Sequence, residues 1–283
     1  MKRIIILSGL LLLAVNNIFA QYYYQDIYNT KQTIDNMALL KENKVKAQFV
    51  QSLDANQEMD NDFTCQRLLG PGYRQMRSIT RSGATGLSVM TSSFSMRGNL
   101  TKTTDSTNSS ITTVQYQYND QGQLLHINAV SQAREGKFRF DETRTYTYDS
   151  LGHVSRMVHK KGISPSDSTI VTFKTNDKGQ VTEELETGKS IRSQRIFYNY
   201  DEHGRLTDVF RYHAARKKML PDYIFEYNDQ NKVSKMTTVN SETASYTIWK
   251  YTYLANGLPD KEECYGKGKE LLGIVKYKYD LQQ

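Results

Sequence analysis

The sequence lacks the residues and motifs on which several classes of protein depend. It contains 2 cysteines among 283 residues, so at most one intramolecular disulfide can form. Beyond residue 15, no apolar run approaches the ~20 residues that a membrane-spanning helix requires. There is no H-E-x-x-H zinc motif, no G-x-S-x-G nucleophile turn and no glycine-rich phosphate loop. These absences argue against the enzyme classes that the motifs define, and no cofactor or metal site is predicted.

The first twenty residues, 1–20, have the pattern of a secretory signal peptide. Lys2 and Arg3 precede an apolar run from Ile4 to Val15, and Ala20 ends a more polar stretch. A membrane helix is the alternative, but the run is too short to span a bilayer. We expect cleavage before Gln21, no transmembrane segment afterwards, and no lipoprotein anchor, because no cysteine follows the cleavage point. The mature chain is predicted to be exported, either periplasmic or secreted, with outer-membrane association as a further option.

Loss of this leader leaves a moderately basic chain of roughly 260 residues, long enough for one or two domains with a sizeable core. It carries 35 Lys and Arg against 30 Asp and Glu. Export would permit a disulfide between Cys65 and Cys264, and two unpaired thiols are the alternative. A bridge would connect the amino-terminal region to the last part of the chain.

A short unit recurs along the second half of the sequence. YNYDEHGRL, from Tyr198 to Leu206, aligns with six other stretches whose first aromatic residues are separated by 25 to 30 residues. They are YQYNDQGQLL from 116, YTYDSLGHVS from 146, FKTNDKGQVT from 173, FEYNDQNKVS from 225, YTYLANGLPD from 251 and YKYD from 277. Six full units and a truncated seventh indicate a repeat protein.

The chemistry of the unit is that of a β-hairpin turn. Tyr198 and Tyr200 are two residues apart and therefore share one face of a strand. Asp201 suits the first position of a type I turn. Gly204 supplies the left-handed conformation that the following bulge needs, and asparagine is the next most tolerant residue. The predicted turn residues are Gly122, Gly152, Gly179, Gly204, Asn231 and Gly257.

The repeats predict an all-β fold. Each unit of about 26 residues has room for two strands and two turns, giving an antiparallel meander of about thirteen strands from repeated hairpins. The sheet is expected to be curved or partly rolled, because so many strands seldom stay flat. We divide the chain into the signal peptide, an amino-terminal region of mixed helix and short strands (21–90), a Ser/Thr-rich linker or irregular hairpin (91–113) and the repeat domain (114–283). Within the amino-terminal region, residues 26–59 favour a helix, with a strand as the alternative.

The unit resembles the YD repeat of the RHS family, whose consensus Tyr-x-Tyr-Asp-x-x-Gly-Arg-Leu is matched by Tyr198–Leu206 and nearly as well by Tyr146–Val154. The resemblance covers residues 114–283 and implies hairpin architecture rather than an activity. Similar repeats occur in small exported bacterial proteins of unassigned function. The period here is longer than that family's, and the chain is too short to enclose a cargo chamber. No protease signature or toxin domain follows, so a toxin-delivery role is not expected.

The paired tyrosines admit two interpretations. In the first, Tyr198, Tyr200 and their equivalents form the apolar face of the sheet and pack on it by curvature or against the amino-terminal segment. In the second, they form an exposed aromatic ladder that stacks on sugar rings. The second interpretation makes Tyr198 and Tyr200 candidate binding residues.

Charge divides unevenly between the two sets of turns. The glycine-bearing tips are net negative, while the variable reversals between them are net positive. The two sets lie at opposite edges of a meander, so one acidic and one basic edge are predicted. Alternatively, the tip residues serve turn geometry and the lysines serve solubility. The densest basic point comprises Arg211, Arg216, Lys217 and Lys218.

Few ionisable residues are placed for chemistry. His153 and His159 are six residues apart and lack partners at metal-ligand spacing. Glu184 and Glu186 share one face of a strand, most simply a wet face, although a carboxylate pair for glycoside hydrolysis is the alternative. No catalytic residue is therefore assigned.

The leading hypothesis is an exported, non-catalytic repeat protein of the bacterial envelope that binds a polymer or a protein partner through its sheet face or basic rim. An anionic envelope glycan or a lipid head group would suit the basic rim, whereas nucleic acid is not expected without a recognised binding motif. The alternative is an envelope-processing hydrolase with a site built from loops, which loss of activity on replacing Glu184 or His213 would favour.

Overall fold

The computed structural model describes residues 22–162, 168–188, 191–241 and 243–282. The predicted signal peptide and cleavage point lie outside these ranges. The described chain begins with a π-helical turn, Tyr23–Tyr28, which continues into helix α1, Asn29–Glu42. Eighteen strands follow, with short 3-10 turns at Pro71–Tyr73 and Ala214–Arg216. No helix of the described chain is long and apolar enough to span a membrane.

The strands are short and regular. They are β1 (Val45–Leu53), β2 (Thr64–Leu69), β3 (Gln75–Ser82), β4 (Gly86–Phe94), β5 (Leu100–Thr107), β6 (Ser110–Tyr118), β7 (Leu124–Ala133), β8 (Arg139–Tyr148), β9 (Val154–Lys161), β10 (Ser168–Thr175), β11 (Val181–Gly188), β12 (Ile191–Tyr200), β13 (Leu206–His213), β14 (Lys218–Tyr227), β15 (Val233–Asn240), β16 (Ser245–Tyr253), β17 (Pro259–Tyr265) and β18 (Leu271–Leu281).

The sheet closes on itself. Strands β2 to β18 pair antiparallel in sequence order, and β1 lies between β18 and β2. Val50 of β1 faces Tyr277 of β18 on one side and Cys65 of β2 on the other. The result is a closed antiparallel barrel of eighteen strands. A closed sheet has no edge, so no row of unpaired backbone groups is left along a strand.

The prediction of about thirteen strands in an open, curved or partly rolled sheet is therefore wrong. The missing strands come from residues that lack the paired tyrosines. Residues 91–113, for which a linker or irregular hairpin was expected, contribute to β4, β5 and β6. Their turn uses the same geometry as the repeats: Ser95 N–H donates to Asn99 O (2.8 Å), and Gly98 has a φ of 86°. Residues 26–59 contain both alternatives, a helix to Glu42 and a strand from Val45.

Antiparallel succession places alternate turns at opposite ends of the barrel. We call one end the glycine rim; it comprises loops 95–99, 119–123, 149–153, 176–180, 201–205, 228–232 and 254–258. Each loop closes with the same two backbone hydrogen bonds, 2.8–3.0 Å long. The other end is the variable rim, which includes loops 54–63, 83–85, 108–109, 134–138, 214–217 and 266–270. All the glycine-bearing tips thus face the same way.

The barrel is filled by its own amino-terminal helical segment. Tyr22 and Tyr24 belong to one core cluster with residues of eleven consecutive strands, β7 to β17. At the other end of the segment, Met37 and Leu40 pack with Met76, Phe94 and other residues of the opposite wall. The twenty residues from Tyr23 to Glu42 would extend ~30 Å as a helix. The helical segment therefore crosses the interior from one wall to the other.

Helix α1 ends where the chain leaves the interior. The Asn43 side-chain amide donates to Leu39 O (2.9 Å), which satisfies a carbonyl of the last turn. Lys44 then adopts a φ of 52°, and β1 begins at Val45. Leu40 and Val45 are both fully buried. This tight connection fixes the helix to the strand that closes the barrel.

Candidate functional site

A cluster of buried ionisable side chains holds the start of the helical segment against the inner wall. Glu184 of β11 is 1% exposed, and its two carboxylate oxygens accept hydrogen bonds from the backbone N–H groups of Tyr22 (3.0 Å) and Tyr23 (2.9 Å). The Tyr198 hydroxyl donates to the same carboxylate (2.9 Å). Free N–H groups at a helix start attract a carboxylate. Glu184 thus anchors the first helical turn.

A second group of contacts surrounds the Tyr22 side chain. Its hydroxyl donates to Glu186 Oε1 (3.0 Å) and lies 2.8 Å from His159 Nδ1. His159 Nε2 lies 2.9 Å from Glu142 Oε1. Tyr22 has a single hydroxyl proton, so all three contacts are hydrogen bonds only when His159 is an imidazolium. His159 is 3% exposed, which places this charge among acids rather than in water.

Arg144 connects the wall to the helical segment one turn later. Its Nη1 donates to Asp26 Oδ1 (2.5 Å), and its Nη2 donates to Glu142. The Tyr146 hydroxyl also donates to Asp26. The guanidinium lies 5.7 Å from the Tyr22 ring centroid, a cation–π distance. Asp26, buried to 5% exposure, is thereby paired with both a cation and a hydroxyl.

The acidity of these groups follows from burial and from their partners. Burial raises the pKa of Glu184 to about 7, despite the opposing hydrogen bonds from Tyr23, Tyr22 and Tyr198. Burial also acts on Glu142, but His159 and Arg144 outweigh it and lower the pKa of that carboxyl to about 2. Burial raises the pKa of the Tyr146 and Tyr198 hydroxyls well above their ordinary range.

This cluster binds the chain's own helix and offers no open face to a substrate. The prediction that Glu184 and Glu186 lie on a wet face is wrong, because the two side chains are 1% and 8% exposed on the inner wall. Within the described ranges, no group of three or more His, Cys, Asp or Glu side chains is arranged to hold a metal ion. The cluster therefore acts as an anchor rather than a reaction centre.

The paired tyrosines face inward. Tyr198 is 2% exposed, and its ring meets that of Tyr23 edge to face at a centroid distance of 5.1 Å. The Tyr200 hydroxyl donates to Val181 O (2.8 Å). Tyr198 has no exposed surface on which a sugar could stack, and Tyr200 is committed to the wall. Of the two interpretations, the structure places these residues in the packed face.

The second tyrosine of the units makes a recurrent contact that the sequence did not reveal. Its hydroxyl donates to the carbonyl of the residue that opens the preceding return strand, at 2.7–2.8 Å. We call these bonds tyrosine staples; they join Tyr148 to Leu124, Tyr200 to Val181, Tyr227 to Leu206, Tyr253 to Val233 and Tyr279 to Pro259. The signal was the spacing of the second tyrosine from the previous tip, which is absent only where Thr175 replaces it.

The predicted turn residues lie on the glycine rim. Gly122, Gly152, Gly179, Gly204 and Gly257 have φ values of 75–81°, and Asn231 has a φ of 60°. The glycine at 179 is also close to a neighbouring tip, since a Cβ there would lie 2.5 Å from the His153 ring. At 122 a Cβ would meet nothing within 4 Å. Side chains after each glycine reach the next tip: the Gln180 amide, for example, donates to Gly204 O (2.7 Å).

The four basic residues singled out in the sequence separate into two environments. Arg211 points inward, and its Nη2 pairs with Asp222 (2.7 Å), with the side chain 15% exposed. The other three are exposed at the variable rim, in and after the 3-10 turn that joins β13 to β14. We call Arg216, Lys217 and Lys218, together with exposed Tyr212 and Met219, the basic corner. Arg211 is a core residue and does not belong to it.

His213, considered as a catalytic candidate, has a structural role beside this corner. Its Nδ1 accepts a hydrogen bond from Arg216 N–H (3.3 Å) at the start of the 3-10 turn. Lys217 ends that turn with a φ of 50°. The histidine thus shapes the loop that presents the three cations.

The variable rim is not uniformly basic. Loop 54–63, which joins the two strands that the sequence did not predict, carries Asp54, Glu58, Asp60 and Asp62, all exposed. Counting only the repeat region had left this loop out. Closure of the barrel brings it into the same rim as the basic corner, so the rim has an acidic arc and a basic one.

The two cysteines are free and buried. Cys65 lies in β2 and Cys264 in β17, and β1 and β18 separate these strands. Three strand spacings amount to ~14 Å, whereas a disulfide requires Cα atoms within ~7 Å. The disulfide considered from the sequence does not form in this fold.

The fold and the cluster define a class of closed antiparallel barrel that is filled by its own amino-terminal helix. Solved structures with a similar arrangement of strands include a porin-like protein from Bacteroides uniformis, 11% identical at a TM-score of 0.43, over 83% of this chain and 98% of that one. A porin-like protein from Bacteroides vulgatus is 13% identical at a TM-score of 0.24, over 84% and 99% of the two chains.

A third similar structure is the Photorhabdus luminescens Tc holotoxin pore, 15% identical at a TM-score of 0.35, with 77% of this chain and 12% of that chain covered. No protein-family model matches the chain. No curated protein matches it either. Similarity at these identities and TM-scores carries no argument about function, and the resemblance of the hairpin units to YD repeats stays a prediction.

Proposed function

We propose that the protein is an exported, non-catalytic binding protein of the bacterial envelope that attaches to anionic lipid head groups through the basic corner. Export is inferred from the leader-like residues 1–20. The observation that carries the binding proposal is the exposure of Arg216, Lys217 and Lys218 beside exposed Tyr212 and Met219. Cations and amphipathic or apolar side chains in one patch suit the interface of an anionic bilayer.

The three cations are not neutralised locally. Within the described ranges, no carboxylate lies at ion-pair distance from any of them, whereas Arg211 and Arg195 nearby are paired with Asp222 and Glu183. Unpaired cations at an exposed rim raise the local potential and attract anions. The corner is therefore available for an external partner.

The apolar part of the patch continues on the outer wall. Tyr212 faces Met219 across the β13–β14 pair, and they are 56% and 44% exposed. Next to them, the Phe197 and Phe210 rings stack with centroids 5.4 Å apart. Elsewhere the outer wall carries charge in mid-strand, as where Lys250 faces Glu263. An aromatic patch on a hydrated wall marks this region as the contact surface.

Vesicle binding tests the proposal directly. The exported protein is mixed with phosphatidylcholine vesicles that contain or lack phosphatidylglycerol, and binding is measured by flotation at increasing salt. We expect binding only to the anionic vesicles, weakening as salt screens the charges. Each lysine near an anionic surface contributes ~1 kcal/mol, so the double substitution Lys217→Glu, Lys218→Glu should weaken binding at least about tenfold.

The matched control is the double substitution Lys276→Glu, Lys278→Glu. These two lysines are exposed on β18, on another part of the outer wall, and change the net charge equally. Equal loss in both double variants would reduce the effect to net charge and contradict a specific corner. Binding that a soluble anionic polysaccharide abolishes, with no preference for vesicles, would assign the corner to a glycan instead.

The hydrolase alternative has no comparable support in the described residues. Glu184 is enclosed by three donors, and His213 accepts from a backbone N–H group in its own turn. Neither side chain is placed to reach a bound substrate. The observations therefore favour binding over hydrolysis.

A further inference from the structure

The start of the described chain lies inside the barrel. Tyr22 is 8% exposed, its backbone N–H donates to Glu184, and its hydroxyl reaches Glu186 on the same wall. Whatever precedes Tyr22 is attached at this buried point. Bond geometry alone keeps the nitrogen of residue 21 within about 4 Å of that of Tyr22. A leader of twenty residues left in place would therefore have to begin between the inner wall and the helix.

The surroundings of this point contain more acids than cations. Asp26, Glu142, Glu184 and Glu186 face Arg144 and the His159 ring, so four carboxyl groups meet at most two positive charges. Buried carboxylates without counter-charge are strongly destabilising. Arg144 is engaged by Asp26 and Glu142, and His159 lies against Glu142. Glu184 and Glu186 are left without a cation of their own.

We propose that the chain is cleaved immediately before residue 21 and that the new amino group pairs with Glu184 and Glu186 inside the barrel. Hydrolysis by a leader peptidase of the host breaks the peptide bond after Ala20; water supplies hydroxide to the Ala20 carboxyl and protons to the freed nitrogen. The resulting ammonium is the counter-charge that the wall lacks. The inference rests on the export part of the proposed function and is independent of lipid binding.

The exported full-length chain tests the proposal in two steps. Its intact mass should show the loss of residues 1–20. The α-amino group is then dimethylated with ¹³C-formaldehyde and titrated by NMR. Beside two carboxylates its pKa should lie above about 9, whereas an ordinary α-amino group titrates near 8. Glu186→Gln should return the pKa toward that ordinary value, and Glu184→Gln should do the same where the variant folds.

Glu183→Gln is the matched control, because Glu183 is the neighbouring residue on the outer face, paired with Lys174 and Arg195. It should leave the titration of the amino group unchanged. A folded exported chain that keeps its leader would overturn the proposal, as would an amino-terminal glutamine that cyclises and takes no label. An amino group that titrates near 8 in all the variants would also overturn it. None of these outcomes affects vesicle binding, so the two proposals fail separately.

Discussion

At the residue scale, the interior places carboxyl groups in two contrasting environments. Glu184 sits among hydrogen-bond donors without a formal cation, and burial raises its pKa to about 7. Glu142 is also buried but faces His159 and Arg144, and its pKa falls to about 2. The two groups therefore affect folding stability in opposite directions as the pH changes. Their environments differ because only Glu142 was given charged partners.

Replacing Glu184 should change how stability depends on pH. In the folded chain its pKa of about 7 exceeds the 4.5 of an unperturbed glutamate. Protonated Glu184 therefore stabilises the fold fully below pH 4.5, and this contribution is lost as the pH rises through 7. Relative to Glu184→Gln, the unfolding free energy of the wild type should fall by on the order of 3 kcal/mol across this window and stay level above it. Urea denaturation at several pH values measures it.

The control for this experiment is again Glu183→Gln. Its carboxylate faces outward and pairs with Lys174 and Arg195 at the surface, where ion pairs contribute little. We expect a small difference from the wild type that is nearly independent of pH between 4.5 and 7. Parallel stability curves for the wild type and Glu184→Gln would contradict the raised pKa.

At the scale of elements, the hairpins are joined to one another as well as closed by their own turns. Each tyrosine staple links one hairpin to the return strand of the hairpin before it. The hydroxyls lie in a partly buried layer near the glycine rim, where an unmade hydrogen bond is costly. The staples therefore tie neighbouring repeats together at the end where the helix leaves the barrel.

The pair Tyr148→Phe and Tyr118→Phe isolates one staple. The Tyr148 hydroxyl donates to Leu124 O (2.8 Å), whereas the Tyr118 hydroxyl is buried and has no partner in the part of the chain that the structure describes. Tyr148→Phe should lower the unfolding free energy by about 1 kcal/mol, and Tyr118→Phe should leave it unchanged or raise it slightly. Chemical denaturation measures both. Equal effects of the two substitutions would show that the hydroxyl bond is not the cause.

The elements that could be predicted are those whose geometry depends on local residue types. A glycine or asparagine at a left-handed position four residues after the second strand aromatic indicates a tip, as at Gly204 and Asn231. Strands β2 to β6 lack the aromatic pair, so residues such as Leu100 and Ile111 carried no recognisable unit. β1 was ambiguous because a helix stops only two residues before it. Where the local signal was weak, long-range pairing determined the structure.

At the scale of the molecule, closure depends on contacts that no local pattern contains. β1 pairs with β18 across more than two hundred residues of sequence, as Val50 does with Tyr277. The anchor of the helix is equally remote, since Glu184 meets Tyr22 across 162 positions. Alternation along β11 showed that Glu184 and Glu186 share a face, but only closure determines that this face is internal. The inner face and the site follow from the barrel as a whole.

Closure also makes a prediction about the two cysteines. Cys65 and Cys264 are each 3% exposed and stand on strands separated by β1 and β18, ~14 Å apart. The exported chain should therefore keep two free thiols even under oxidising conditions. Iodoacetamide should add to neither thiol in the folded protein and to both after unfolding in denaturant without reductant, as read by intact mass. Unfolded chain that takes no label until a reductant is added would contain a disulfide, and the strand order that separates β2 from β17 would then be wrong.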